Sequence, residues 1–117
     1  MPVQVPVSGK ATYSGLGLAK IGETSNSPFV AGTSSFDVDF GEKTIVGTVT
    51  EYQARNGVSL AGQINGNAFS GIKNGVEMRG YFYGSNAAEL GGVFKGTTTI
   101  NGIADTPVMG SFGAKKD

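Results

Sequence analysis

Glycine and phenylalanine recur in this chain at a spacing of two. In the stretch from Met78 to Phe94, Met78, Gly80 and Phe82 share one parity, and Leu90, Gly92 and Phe94 repeat the pattern. Arg79, Tyr81 and Tyr83 take the other parity, and a short polar break at Gly84 to Ala88 separates the two runs. Alternation of this kind belongs to a strand with one buried face. A third copy of the motif is Gly110-Ser111-Phe112. An inward glycine beside an inward phenylalanine suits a tight barrel, where a large side chain needs a small neighbour across the lumen. The chain has 20 glycines in 117 residues, spread between apolar residues. That distribution speaks for close-packed strands and against a disordered linker.

Turn signals divide the rest of the chain. Asn56-Gly57, Asn65-Gly66, Asn74-Gly75 and Asn101-Gly102 each offer the residues that a type I′ hairpin turn demands. With the breaks at Gly41 to Thr44 and Gly84 to Ala88, and the long loop from Ile21 to Gly32, they make seven connections between eight strands. The expected strands are Val7–Lys20, Thr33–Phe40, Ile45–Gln53, Val58–Ile64, Asn67–Lys73, Val76–Tyr83, Glu89–Ile100 and Pro107–Ala114. A two-residue turn pairs its flanking residues on one face. Ile64 is then expected opposite Asn67, Lys73 opposite Val76, and Arg55 opposite Val58. The inferred inner face runs through Phe36, Val38 and Phe40, then Ile45, Gly47 and Val49, then Leu60, Phe69, Met78 and Phe82. In the first strand Val7, Gly9, Ala11, Tyr13, Gly15 and Gly17 are expected to line the lumen beside the eighth. The expected architecture is all-β: a single eight-stranded antiparallel up-and-down β-barrel with a packed lumen, one domain over residues 1–117.

Composition narrows the chemistry. The chain has no Cys, which removes thiol catalysis and thiolate metal sites, and no His, the commonest general base. Nine basic and nine acidic residues cancel, without the basic stripe of a nucleic-acid binder. Asp37 and Asp39 lie two apart on an outward face and read as a solvated strand face rather than a metal or acid–base pair. Gly15-Leu16-Gly17 resembles the start of a nucleotide fingerprint, but no third glycine or helix follows. No enzymatic activity, metal or cofactor is expected; haem ligation by tyrosine is the one cofactor chemistry open in principle. Asp37, Asp39, Arg79 and Lys95 on the outer face argue against a membrane-spanning barrel. No signal peptide, lipobox or long apolar run is present.

Three segments carry a family resemblance. Gly80-Tyr-Phe-Tyr-Gly-Ser-Asn-Ala-Ala-Glu-Leu-Gly-Gly-Val-Phe94, followed by Gly110-Ser-Phe-Gly-Ala-Lys-Lys116, is similar to the end of the β-barrel domains of transferrin-binding protein B. Phe36-Asp-Val-Asp-Phe-Gly-Glu-Lys-Thr-Ile-Val-Gly-Thr-Val49 and Gly9-Lys-Ala-Thr-Tyr-Ser-Gly15 resemble the same domains at matching places. Related barrels occur in other surface lipoproteins and haemophores of Gram-negative bacteria, including factor H binding protein. The resemblance implies a binding module at the cell surface or secreted, serving host-protein binding or iron and haem acquisition. It also implies an export signal outside this chain and lipid anchoring of the full-length form. The other reading is a small-ligand carrier of the lipocalin or streptavidin kind.

The outward parity supplies candidate partner contacts. Val46, Ile72, Tyr81, Tyr83, Val93 and Met109 are expected to point away from the lumen, and Tyr81, Val93 and Met109 sit on three consecutive strands. Exposed aromatics at neighbouring positions suit a protein interface, although scattered surface apolars are also ordinary. The loop Ser27-Pro28-Phe29-Val30-Ala31 is the second candidate, through Phe29 and Val30; it reads equally as a plug over the barrel end.

Overall fold

The structure is a computed structural model that describes residues 8–21, 30–51, 57–100 and 102–117. Eight strands close into one antiparallel ring in chain order. They are β1 (Lys10–Ile21), β2 (Val30–Asp39), β3 (Thr44–Glu51), β4 (Gly57–Asn65), β5 (Ala68–Lys73), β6 (Val76–Tyr83), β7 (Glu89–Ile100) and β8 (Ile103–Lys116). Each strand pairs with its sequence neighbour, and β1 pairs with β8 from Tyr13·Lys116 to Ile21·Val108 to shut the ring. The expected barrel is therefore present, and five of the expected strands, the third to the seventh, agree with it to within two residues at each end.

Registers differ from expectation in an instructive way. Lys73 does pair with Val76, and Asn74 and Gly75 both take positive φ (50° and 87°), as a I′ turn requires. At the preceding hairpin Ile64 pairs with Phe69 and not with Asn67, so Gly66 and Asn67 form the turn. Gly66 alone has positive φ there, which fits the II′ pattern. Val58 pairs with Val49 and not with Arg55; residues 52–56 lie outside the described ones. Asp39 pairs with Thr44, which moves the β2–β3 turn one residue back, and the Glu42 amide donates to Asp39 Oδ1 at 3.0 Å. In each case a residue's cross-strand partner changes by an even number of positions, so no side chain changes face. β8 begins at Ile103, four residues before the expected Pro107, because Ile100 pairs with Ile103 directly across Asn101-Gly102.

The inner face is filled by rings resting on glycines. Phe36 pairs with Gly47, Phe69 with Gly80, Phe112 with Gly92 and Phe94 with Gly110, each across neighbouring strands. A methyl group built on Gly80 would lie 2.5 Å from Phe69 Cζ, and one on Gly110 would lie 2.5 Å from Phe94 Cζ. The aromatic side chains then pack on one another, with Phe36–Phe112 centroids 4.8 Å apart and Phe69–Phe82 centroids 5.2 Å apart. Tyr13, Ile45, Leu60, Met78 and Phe82 are fully buried among them. The packed lumen follows from this: the glycines admit the rings, and the rings occupy the space.

One end of the barrel is capped. The β6–β7 connection is more than a polar break, because Ser85–Ala87 folds as a 3₁₀ turn and buries Ala87 completely. Asn86 and Ala87 both adopt left-handed backbone (φ 54° and 56°), an unfavourable state for alanine. Three contacts hold it. The Tyr13 hydroxyl donates to the Ala87 carbonyl at 2.6 Å, Lys116 Nζ donates to the Asn86 carbonyl at 2.6 Å, and the Lys116 amide donates to the Ala88 carbonyl at 2.8 Å. The Lys116 ammonium also lies 5.8 Å from the Phe40 ring centroid. The Ser27–Ala31 loop, read either as a partner contact or as a plug, lies mostly outside the described residues.

Two outcomes test this packing. Gly80→Val drives a branched side chain into Phe69 and is expected to cost about 1–3 kcal/mol. Phe82→Ala opens a cavity beside Tyr13, Phe40 and Phe69 and is expected to cost about 3–5 kcal/mol. Urea denaturation measures both, and a neutral Gly80→Val would mean that the lumen has room to spare. Burial also pushes the Tyr13 hydroxyl up to about 12 from its ordinary 10. The unfolded chain then gives up this proton near pH 10 while the fold retains it. The contribution is whole below pH 10 and is lost as pH rises towards 12. Tyr13→Phe should flatten the fall in the denaturation midpoint across that window, and should cost about 1–3 kcal/mol at neutral pH by orphaning the Ala87 carbonyl.

Candidate partner-binding surface

Because Met78, Gly80 and Phe82 face in, Arg79, Tyr81 and Tyr83 must face out. Ring closure then sets the outward residues of β6, β7, β8 and β1 side by side in rows. One row reads Tyr83, Glu89, Lys115, Ser14; the next Tyr81, Gly91, Gly113, Leu16; the next Arg79, Val93, Ser111, Leu18; the last Glu77, Lys95, Met109, Lys20. The large apolar members stand well clear of the wall: Tyr81 is 53% exposed, Val93 57% and Leu16 64%. Tyr83, Met109 and Leu18 are each exposed by nearly half.

The structure thus brings four of the sequence candidates, Tyr81, Tyr83, Val93 and Met109, onto one wall. It places Ile72 one strand over on β5 and Val46 away from them on β3, both exposed. Phe29 lies outside the described residues, and Val30 opens β2 opposite Ala19, with its side chain outside the description. Leu16 and Leu18 were missed because β1 was read only for its inward face. The same parity that sends Tyr13 and Gly17 inward sends these leucines outward, and closure against β8 sets them beside the tyrosines.

Between Tyr83 and Leu16 the wall sinks into a trough of about 410 Å³. Its floor is the β8 backbone at Gly113 and Ala114, and Glu89 and Lys115 stand at its rim. The floor is pinned from within, since the buried Ser34 hydroxyl donates to the Leu16 carbonyl at 3.0 Å and also approaches the Gly113 carbonyl at 3.4 Å. Charges of both signs fringe the patch, including Arg79 with Glu77 at 3.3 Å. Asp39 is engaged elsewhere, by the β2–β3 turn and by Lys10 at 3.9 Å. Among the described residues no three His, Cys, Asp or Glu converge as metal ligands.

Comparison with known proteins adds a lineage to this geometry. Residues 5–116 match the family of C-lobe and N-lobe β-barrels of Tf-binding protein B. The chain belongs to this family. Transferrin-binding protein B of Haemophilus influenzae is 32% identical over 130 residues, covering 85% of this chain and 20% of that protein. The protein of the same name from Moraxella catarrhalis is 28% identical over 139 residues, covering 96% of this chain and 19% of that protein. A crystal structure of transferrin binding protein B from Haemophilus parasuis Hp5 superposes with a TM-score of 0.72 at 28% identity, over 96% of this chain and 27% of that one. This barrel therefore spans about a fifth of the length of these curated relatives and about a quarter of the solved one. Family membership agrees with the closed all-β ring. The named relatives are proteins several times longer.

Proposed function

We propose that this barrel is a non-enzymatic binding module, on or released from the surface of a Gram-negative cell, that engages a host protein through its outer wall. The observation that carries the reading is the position of the tyrosines. Tyr81 and Tyr83 stand half exposed beside Val93, Leu16 and Leu18, on a wall otherwise fringed with charge. Tyrosine is enriched at binding hot spots because it buries a large area at low entropic cost. Two further features favour contact from outside. The rings filling the lumen leave little reason to expect a small-ligand carrier. The closed ring has paired its strand edges, so a partner would be held by side chains and loops rather than by an added strand. Relatives named for transferrin make that protein, or iron and haem acquisition more broadly, the first partner class to test.

A pull-down from host serum, with haem absorbance read on the same sample, identifies the partner class. Affinity and melting temperature are then compared for the parent, Tyr81→Ala and Phe29→Ala. Tyr81→Ala is expected to weaken binding by about 1–2 kcal/mol while destabilising far less than Phe82→Ala. If both variants bind as the parent does, the interface lies elsewhere on the barrel.

A further inference from the structure

The trough beside Tyr83 has a feature that internal packing does not explain. Inward glycines such as Gly47, Gly80, Gly92 and Gly110 have no room for a side chain, because a phenylalanine ring and a backbone carbonyl oxygen of adjoining strands both lie within 2.7 Å of where its first carbon would sit. The outward pair Gly91 and Gly113 is under no such demand. A methyl group on Gly113 would meet no atom nearer than 4.0 Å; one on Gly91 would have contacts of 3.5 Å and 3.6 Å, both ordinary. Neither residue has positive φ. A glycine inside a strand weakens it and marks a place where another group comes close to the backbone. Tyr83 leans towards Gly91, its Cε2 being the atom at 3.6 Å, while Gly113 lies uncovered between Tyr83 and Leu16.

We propose that this trough receives one aromatic side chain of a partner polypeptide, laid over Gly113 as the chain's own phenylalanines are laid over its inward glycines. The inference rests on the outer-wall reading above and says what the partner must present. The trough has apolar sides, Leu16 and the Tyr83 ring, and its volume of about 410 Å³ accommodates an indole or phenol ring. Its charged rim is balanced, with Glu89 beside Lys115, and Glu77 bound to Arg79 nearby. That balance matches a polypeptide of mixed charge, and does not match a polyanion such as nucleic acid or an acidic glycan. A second copy of this chain is the weaker occupant. The exposed apolar band is on the order of a few hundred Å², whereas a stable dimer buries roughly 800 Å² per partner. An anchor pocket within a larger interface with another protein fits that size better.

The test uses the ¹⁵N-labelled protein titrated with N-acetyl-tryptophanamide, and separately with N-acetyl-leucinamide. Saturable amide shifts are expected at Leu16, Gly91, Gly113 and Lys115, with the leucine probe at least about fivefold weaker. Gly113→Val fills the trough and should abolish the shifts with the denaturation midpoint unchanged or raised. Leu16→Ala, which removes one wall, should weaken them at least about threefold. Shifts centred elsewhere, no shifts at all, or shifts that survive Gly113→Val overturn the proposal. Concentration-dependent broadening at these amides without probe also overturns it, by making a second copy the occupant. Because the probe needs no partner, this outcome is separable from that of the serum pull-down. A failure here leaves the Tyr81 comparison standing.

Discussion

The barrel depends on phenylalanine rings lying directly on glycines of the adjacent strand. Closing eight strands leaves a lumen only wide enough for side chains. Where Phe69 crosses Gly80, or Phe94 crosses Gly110, one residue gives up its side chain so that the neighbour's ring lies flat against the backbone. This meets two requirements together. It lets the strands come close enough to curve, and it fills the lumen that the curvature creates. The ring–ring contacts among Phe36, Phe69, Phe82 and Phe112 link the separate pairs into one core. With the interior filled, the recognition proposed above falls to the outside of the cylinder.

Much of this was legible in the sequence because parity is robust. The expected pairings across Asn65-Gly66 and near Asn56-Gly57 were displaced, yet every displacement was even, and the inward set stayed inward. A slip of one residue would have turned Leu60 and Phe69 to solvent, and burial forbids it. Turn position has no such protection: Asn65 and Asn67 flank Gly66 on both sides, and either can serve the loop. Three-dimensional neighbours were also hidden. Nothing local marks Leu16 as a companion of Tyr81, since ninety-odd residues of chain separate β1 from the end of β8. The cap was hidden for another reason. Ala87 breaks the local rule that alanine avoids left-handed backbone, and only the buried Tyr13 hydroxyl and Lys116 make that conformation tolerable.

The two sets of glycines carry different information. Those facing the lumen are dictated by their neighbours, and their spacing with phenylalanine is what makes the fold readable. Gly91 and Gly113 face outward, have space around them and obey no internal demand. A composition that looks uniform along the chain thus divides by parity into residues that build the barrel and residues that keep part of its surface clear. The tyrosines stand beside the second set, which is why the wall bearing Tyr81 and Tyr83, rather than the one bearing Val46, is the place to look for a partner.

The seam between β1 and β8 has a consequence for how the molecule forms. Seven of the eight strand pairings join neighbours in the sequence. The eighth joins Tyr13 to Lys116, and the same strand end reaches Ala87 through the Tyr13 hydroxyl. Of the eight strands β1 is made first, and its second edge waits for the other seven before it finds β8. A meander grown strand by strand stays an open sheet, with that edge unpaired, until β8 arrives. Closure is then the pairing that joins residues furthest apart in the sequence.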